Sequence, residues 1–96
     1  MSIVNGKLPI KVTSPAFEFP DQCAVAGLIL TTTSGAAAAC NAVVQDAHNN
    51  DLATLNTTTS SGVSGVMFPF PVVMSGLSVP ALSGTGAVLY IFLADV

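Results

Sequence analysis

The sequence predicts an all-β protein, a single small β-sandwich or jelly-roll-like domain of about seven or eight antiparallel strands with an extended N-terminal arm. Short apolar runs alternate with turn signals of Gly, Pro, Ser and Asn along the chain. The last run, 87–94, lacks charged and amide side chains and is rich in β-branched and aromatic residues, which favour strands. Hydrophobic residues make up 51 % of the chain and charged residues only 7 %, so apolar surface is abundant.

The chain of 96 residues is long enough for one domain. We expect two parts, an N-terminal arm with the first short strands at 1–23 and the β-sandwich at 24–96. The arm itself, 1–12, carries both lysines and the turn pair Asn5-Gly6. Pro9 interrupts any regular hydrogen-bond ladder there, as is typical of an edge or of an arm that lies on another chain.

The first half of the chain contains an alternating segment and a longer apolar run. Residues 17–19 alternate Phe with Glu and predict a short strand, which Pro20-Asp21 ends with a turn. Residues 24–33 predict a strand with Leu28 and Leu30 on one face and Val25, Gly27 and Ile29 on the other.

Residues 36–47 have good helix formers but lie between evenly spaced strands and turns. Helix propensity is a weak prior that tertiary structure overrides, so we favour a strand over a helix. In that strand Cys40, Ala42 and Val44 point inward, and Asn41 and Gln45 point outward.

The second half predicts strands at 52–57, 72–74, 77–79 and 87–94. The sequence Phe68-Pro69-Phe70-Pro71 does not fit a central strand, because each proline lacks the N–H group that a ladder needs. It indicates an extended edge or a crossover between two sheets. In the final strand Ala87, Leu89, Ile91 and Leu93 form one apolar face, and Val88, Tyr90, Phe92 and Ala94 form the other, so both faces are predicted to be covered.

The composition excludes several functional classes. A net charge of −3 without a basic patch argues against nucleic-acid binding. The N-terminus lacks the continuous apolar core of a secretory signal, and no uninterrupted apolar stretch is long enough for a transmembrane helix. What remains is a weakly charged protein whose apolar surface predicts stable association with protein.

Reactive chemistry is scarce, and we expect neither catalysis nor a bound cofactor. Asp46, His48 and Asp51 are candidate metal ligands, but a solvated polar turn explains them better. A serine nucleophile would depend on the single histidine as its base, without a G-x-S-x-G motif. Cys23 and Cys40 are predicted to be reduced residues that pack in the core, and no metal site is expected.

Large apolar side chains in the arm, in the Phe-Pro segment and in the final strand are the candidate interface residues. For the two phenylalanines of the Phe-Pro segment the alternative is capping of the core, and for the two aromatics of the final strand it is burial within the chain. These candidates are Ile3, Leu8, Ile10, Phe68, Phe70, Tyr90 and Phe92.

Four segments within residues 24–94 carry a resemblance to a known class of protein. They are L-I-L-T-T-T-S-G-A-A-A at 28–38, V-V-Q-D at 43–46, F-P-F-P-V-V-M-S-G-L-S-V at 68–79 and G-T-G-A-V-L-Y-I-F at 84–92. Together they resemble small β-sandwich virion proteins of tailed bacteriophages. The resemblance implies a capsid decoration or cement protein on the exterior of the phage head, assembled in the host cytoplasm. It also implies the major capsid protein as partner and a homotrimer or other small homo-oligomer.

Two other functions fit the same residues. One is a different structural role in the virion, as a coat protein, head-fibre base or tail protein, and a coat protein differs by assembling into closed particles alone. The other is a ligand- or carbohydrate-binding β-sandwich module, which is disfavoured because Tyr90 lies in a wholly apolar run.

Overall fold

The computed structural model describes residues 9–32 and 38–94, and within these ranges every regular element is a β-strand. The strands form one antiparallel sheet with the spatial order β1-β6-β2-β5-β3-β4. The predicted all-β class is therefore confirmed. The strands are β1 (Ile10–Val12), β2 (Phe17–Thr32), β3 (Asn41–Gln45), β4 (Asp51–Asn56), β5 (Ser64–Ser83) and β6 (Ala87–Ala94).

The two long strands β2 and β5 form the spine of the sheet. Their ladder extends from the pair Phe17 and Val79 to the pair Leu30 and Ser64. At one end, β6 pairs with β2 over residues 24–32, and β1 covers the far side of β6. At the other end, β3 pairs with β5 over residues 78–83, and β4 lies beyond β3. The sheet thus has a β6 end and a β3 end that share the same two central strands.

One hydrophobic cluster contains buried side chains from all six strands. The strands contribute Val12, Leu28, Val44, Leu55, Leu77 and Leu89, among others. Several of these side chains are completely buried, although the described residues provide no second sheet and no helix to cover them. The buried side chains of the β6 end and of the β3 end nevertheless belong to one cluster, and β2 and β5 connect the two ends.

The final strand follows the predicted pattern. β6 lies between β1 and β2, and Ala87, Leu89 and Ile91 are buried in the core cluster, with Leu93 packed against it. Tyr90 and Phe92 alternate with them and lie outside that cluster. The sequence predicts that both faces of this strand are covered; on the second face Val88 is buried, whereas Tyr90 and Phe92 are partly exposed.

The ambiguous segment 36–47 contains a strand, as the sequence favours; residues 33–37 lie outside the described residues. In and just before β3, Cys40, Ala42 and Val44 are buried, whereas Asn41 and Gln45 are partly exposed. Asn41 donates a side-chain hydrogen bond to Asn56 of β4 at 2.8 Å.

The structure differs from the prediction in how the central strands are divided. The described residues form six strands, because β5 joins the segments predicted separately at 72–74 and 77–79. The turn predicted at Pro20-Asp21 is an irregularity within β2, between Phe19 and Gln22. A second irregularity between Val25 and Gly27 changes which face is apolar, so Val25 is in the core with Leu28 rather than opposite it.

The predicted N-terminal arm lies mostly outside the described residues. Its last part forms β1, in which Ile10 pairs with Ile91 and Val12 is buried. β2 is continuous across the boundary predicted between residues 23 and 24. Nowhere in residues 9–32 and 38–94 is there a helix long and apolar enough to cross a membrane.

Candidate interaction surface

At the β6 end, the face of the sheet that points away from the core is apolar. The strand register places its residues in rows. Tyr90 lies beside Ile29, and Phe92 and Met67 lie on either side of Gly27. In the next row Ala24 of β2 lies between Ala94 of β6 and Val73 of β5. We call this surface the outer face and define it by Ile29, Met67, Val73, Tyr90 and Phe92, none of which belongs to the core cluster.

On the outer face, large side chains surround residues with small side chains or none. Met67 and Val73 of β5 are 62 % and 57 % exposed, and the aromatic residues of β6 are partly exposed. Between the two strands, Gly27 has no side chain, and the thioether of Met67 occupies the place that its Cβ would take. Met67 can therefore lie flat across β2, and the outer face is broad and shallow rather than a deep pocket.

The Phe-Pro segment forms the edge of the sheet next to this face. Val25 pairs with Val72 and Gly27 pairs with Met67, so the four residues 68–71 lie opposite Ala26 alone. Phe68 packs against the core cluster, whereas Phe70 is 81 % exposed. The predicted edge position is confirmed: among the described residues, β3 pairs with β5 only from residue 78 onward, so the far side of 64–74 has no partner strand.

Charge is distributed unevenly over the described residues. Lys11 is exposed on β1 next to Tyr90, at the margin of the outer face. The acidic residues described, Glu18, Asp21, Asp46 and Asp51, lie on the first part of β2 and on the β3–β4 hairpin. The outer face therefore contains no charged side chain of its own, and the β3 end has a net negative charge.

The turn between β3 and β4 explains the polar residues that the sequence marks as candidate metal ligands. Asp46 Oδ1 accepts hydrogen bonds from the backbone N–H groups of His48 and Asn50 at 2.8 and 2.9 Å. The hydrogen bonds from Asn50 are the main cause that lowers the pKa of the Asp46 carboxyl. Asp51 Oδ1 instead accepts from Gln45 Nε2 at 2.7 Å. Among the described residues, no three His, Cys, Asp or Glu side chains are grouped as metal ligands would be.

Polar side chains form a row across the β3 end. The register places Glu18 opposite Ser78, Ser78 opposite Gln45, and Gln45 opposite Asp51. Shallow depressions of about 290 and 270 Å³ adjoin this row. In the described part of the chain, no buried side-chain N or O atom lacks a hydrogen-bond partner. The row therefore offers no unsatisfied buried group aimed at a ligand.

The two cysteines are separate, free and buried. Cys23 lies opposite Met74 in the β2–β5 ladder, and burial raises the pKa of its thiol. Cys40 lies before β3, where its backbone N–H donates to Thr57 Oγ1 at 2.9 Å. The environment of Cys23 does not activate a thiolate, because its thiol is withdrawn from solvent.

The predicted interface residues are divided by the structure. Ile3 and Leu8 lie outside the described residues. Ile10 and Phe68 pack against the core cluster, whereas Tyr90 and Phe92 lie on the outer face.

Among the candidates that the structure describes, Phe70 is the residue whose side chain is most fully exposed. Sequence reasoning missed Met67 and Val73, because the four-residue bulge at 68–71 decides which residues of β5 lie next to Gly27 and Ala24.

No family model, no curated protein and no solved structure matches the chain significantly.

Proposed function

We propose that this protein is a structural component of a bacteriophage virion, a decoration or cement protein that binds across major-capsid subunits on the outside of the head. In this role the protein has no catalytic step. It opposes separation of the capsid subunits by burying apolar surface against more than one of them, so each contact strengthens the others. The fold that we propose in finer detail is a jelly-roll-like β-sandwich with an N-terminal arm.

The observation that carries the proposal is the separation of apolar and acidic surface. The β6 end presents the outer face and the exposed Phe70, and the β3 end presents the described carboxylates. Buried aromatic side chains often dominate the energy of protein interfaces. We therefore place the β6 end toward the shell and the acidic β3 end toward solvent, where charge favours solubility.

Phe70 is the residue that we assign to the shell contact. Pro69 and Pro71 fix the backbone on both sides of it and supply no N–H for another strand. A side chain held outward by a restrained backbone loses little conformational entropy when it binds. The contact should therefore be a side-chain insertion into an apolar pocket rather than strand addition.

The first test is the mass of the purified protein in solution, followed by binding to empty shells of the cognate major capsid protein. We expect a monomer or small oligomer alone, and saturable binding to shells in co-sedimentation. Phe70→Ser should weaken shell binding by about tenfold or more, because a central aromatic contact is typically a large contributor. Thr54→Ser, an exposed substitution on β4, is the matched control and should bind like the wild type.

Other results would assign a different function. Closed megadalton particles formed without any shell would make the protein a coat protein. Absence of binding to shells at saturating concentration would refute the cement function.

The N-terminal arm has a separate test. Deletion should remove residues 1–8 only, because Val12 is buried and residues 10–12 pair with β6. We expect the shortened chain to fold and to occupy shells less completely. If this variant occupies shells fully, residues 1–8 do not contribute to shell binding.

A further inference from the structure

We propose that the outer face binds a second copy of this chain, face to face, and that Phe70 remains available for the shell. This inference rests on the proposed function, because both treat the β6 end as an association surface. It goes further by naming a second copy of the chain as the partner of the outer face. The charges of the described residues decide whether two identical surfaces can meet.

A two-fold pair brings each group of a face close to the same groups of its partner. A surface with charges of one sign then meets its own charge, which costs free energy. The five residues that define the outer face avoid this cost because they are uncharged, and the nearest described charge, Lys11, lies at the margin beside Tyr90. The carboxylates described lie at the β3 end, so a pair formed through the outer faces keeps the negative charge of the two copies apart.

Two open stretches of the long strands β2 and β5 are poor sites for pairing with another copy. On the open edge of β5, Pro69 and Pro71 lack N–H groups and residues 68–71 bulge out of the ladder. The first part of β2, which no described strand pairs on the side away from β5, contains Pro20 and is irregular between Phe19 and Gln22. Prolines and bulges of this kind protect edges against strand addition. Association through a face is therefore favoured over association through these two stretches.

The size of the outer face sets the expected affinity. Five residues along each of the three strands β6, β2 and β5 cover roughly 240 Å² at ordinary strand spacing. Two such faces bury about 480 Å² together, below the roughly 1,200–2,000 Å² of a stable interface. The pair should therefore exchange rapidly in dilute solution. When neighbouring copies are held on one shell, the raised local concentration should favour pairing.

The test is sedimentation velocity of the full chain from micromolar to millimolar concentration, at low and at high salt. We expect reversible self-association whose dissociation constant changes by less than about threefold with salt, because the face has no ion pairs to screen. Val73→Asp and, separately, Met67→Glu should each weaken it by about tenfold or more, because an unpaired charge would be buried. Both residues are more than half exposed, and circular dichroism checks that each variant folds.

Two further variants separate this inference from the proposed function. Thr54→Asp adds a charge at the β3 end and should leave self-association unchanged. Phe70→Ser should also leave it unchanged while weakening shell binding. A chain that is monomeric up to millimolar concentration would overturn the inference. Self-association that persists in both Val73→Asp and Met67→Glu would also overturn it. So would a Thr54→Asp variant that self-associates as weakly as those two variants. If a chain that stays monomeric still binds shells, the cement function is supported and only the self-association is refuted.

Discussion

Replacing Thr57 by valine should destabilise the fold substantially, although the two side chains have nearly the same shape. Thr57 follows β4 and is only 5 % exposed. Its hydroxyl donates to the Ala38 carbonyl at 2.6 Å and accepts from the Cys40 N–H at 2.9 Å. Its own backbone N–H donates to the Cys40 carbonyl at 3.0 Å. One buried residue thus fixes the segment that enters β3 to the end of β4.

The expected loss follows from the two backbone groups that valine leaves without a partner. A buried donor or acceptor left unpaired costs about 1–3 kcal/mol. The hydrogen bond from the Cys40 N–H is buried and the one to the Ala38 carbonyl is partly buried, so the second loss is the smaller one. Together they should lower the free energy of unfolding by about 2–4 kcal/mol, a large part of the roughly 5–15 kcal/mol typical of a domain.

Urea denaturation followed by far-UV circular dichroism measures this change, at one fixed protein concentration for all variants. Thr57→Ser keeps the hydroxyl and should cost only about 1 kcal/mol for the lost methyl group. Thr54→Val, on the exposed side of β4, should change stability by less than about 0.5 kcal/mol. A Thr57→Val protein as stable as the Thr57→Ser protein would refute the assignment of stability to these hydrogen bonds.

Three further predictions concern positions where the structure is restrictive. Gly84 has φ +112°, and an added Cβ would lie 2.7 Å from the Ala39 carbonyl oxygen, so Gly84→Ala should lower stability by about 2–4 kcal/mol in thermal denaturation. The thiol of Cys23 should react with iodoacetamide near pH 8 far more slowly in the native protein than in urea, because burial raises its pKa and blocks access; equal rates would contradict this. The folded-state pKa of Asp46 lies below its unfolded value, so its charge stabilises the fold above the unfolded pKa, and this contribution is lost as pH falls through the folded pKa. Asp46→Asn should therefore destabilise the protein at neutral pH and have less effect near pH 2, and an equal effect at both pH values would exclude a role for the charge.

The sequence could predict the class of the fold because its signals are local. The two apolar faces of the final strand require only alternation along one segment, and β6 has the predicted residues in the core. The same holds for β3, where Ala42 and Val44 are buried between more polar neighbours. Composition likewise predicts that apolar surface is abundant, and Met67, Phe70 and Val73 are exposed.

The register of the long strands could not be predicted, because irregularities in the β2–β5 ladder change the face on which later residues lie. Val25 was expected opposite Leu28, but both are in the core because the ladder is irregular between Val25 and Gly27. In β5, the prolines correctly indicate an edge. They do not indicate that the four residues 68–71 lie opposite Ala26 alone. Exposure of Met67 and Val73 depends on that bulge, so this part of the outer face was not visible in the sequence.

The low charge of the chain and the two apolar faces of β6 have a common physical explanation. In the described residues, one face of the sheet carries the core cluster. On the other face of β6, Val88 is buried, whereas Tyr90 and Phe92 are partly exposed, and no described strand forms a second layer over them. Tyr90 and Phe92 are nevertheless apolar or aromatic where a solvated strand would alternate with polar residues. Under the proposed function another protein chain covers Tyr90 and Phe92, and the lack of charge on Ile29, Met67 and Val73 favours a partner surface that is equally uncharged.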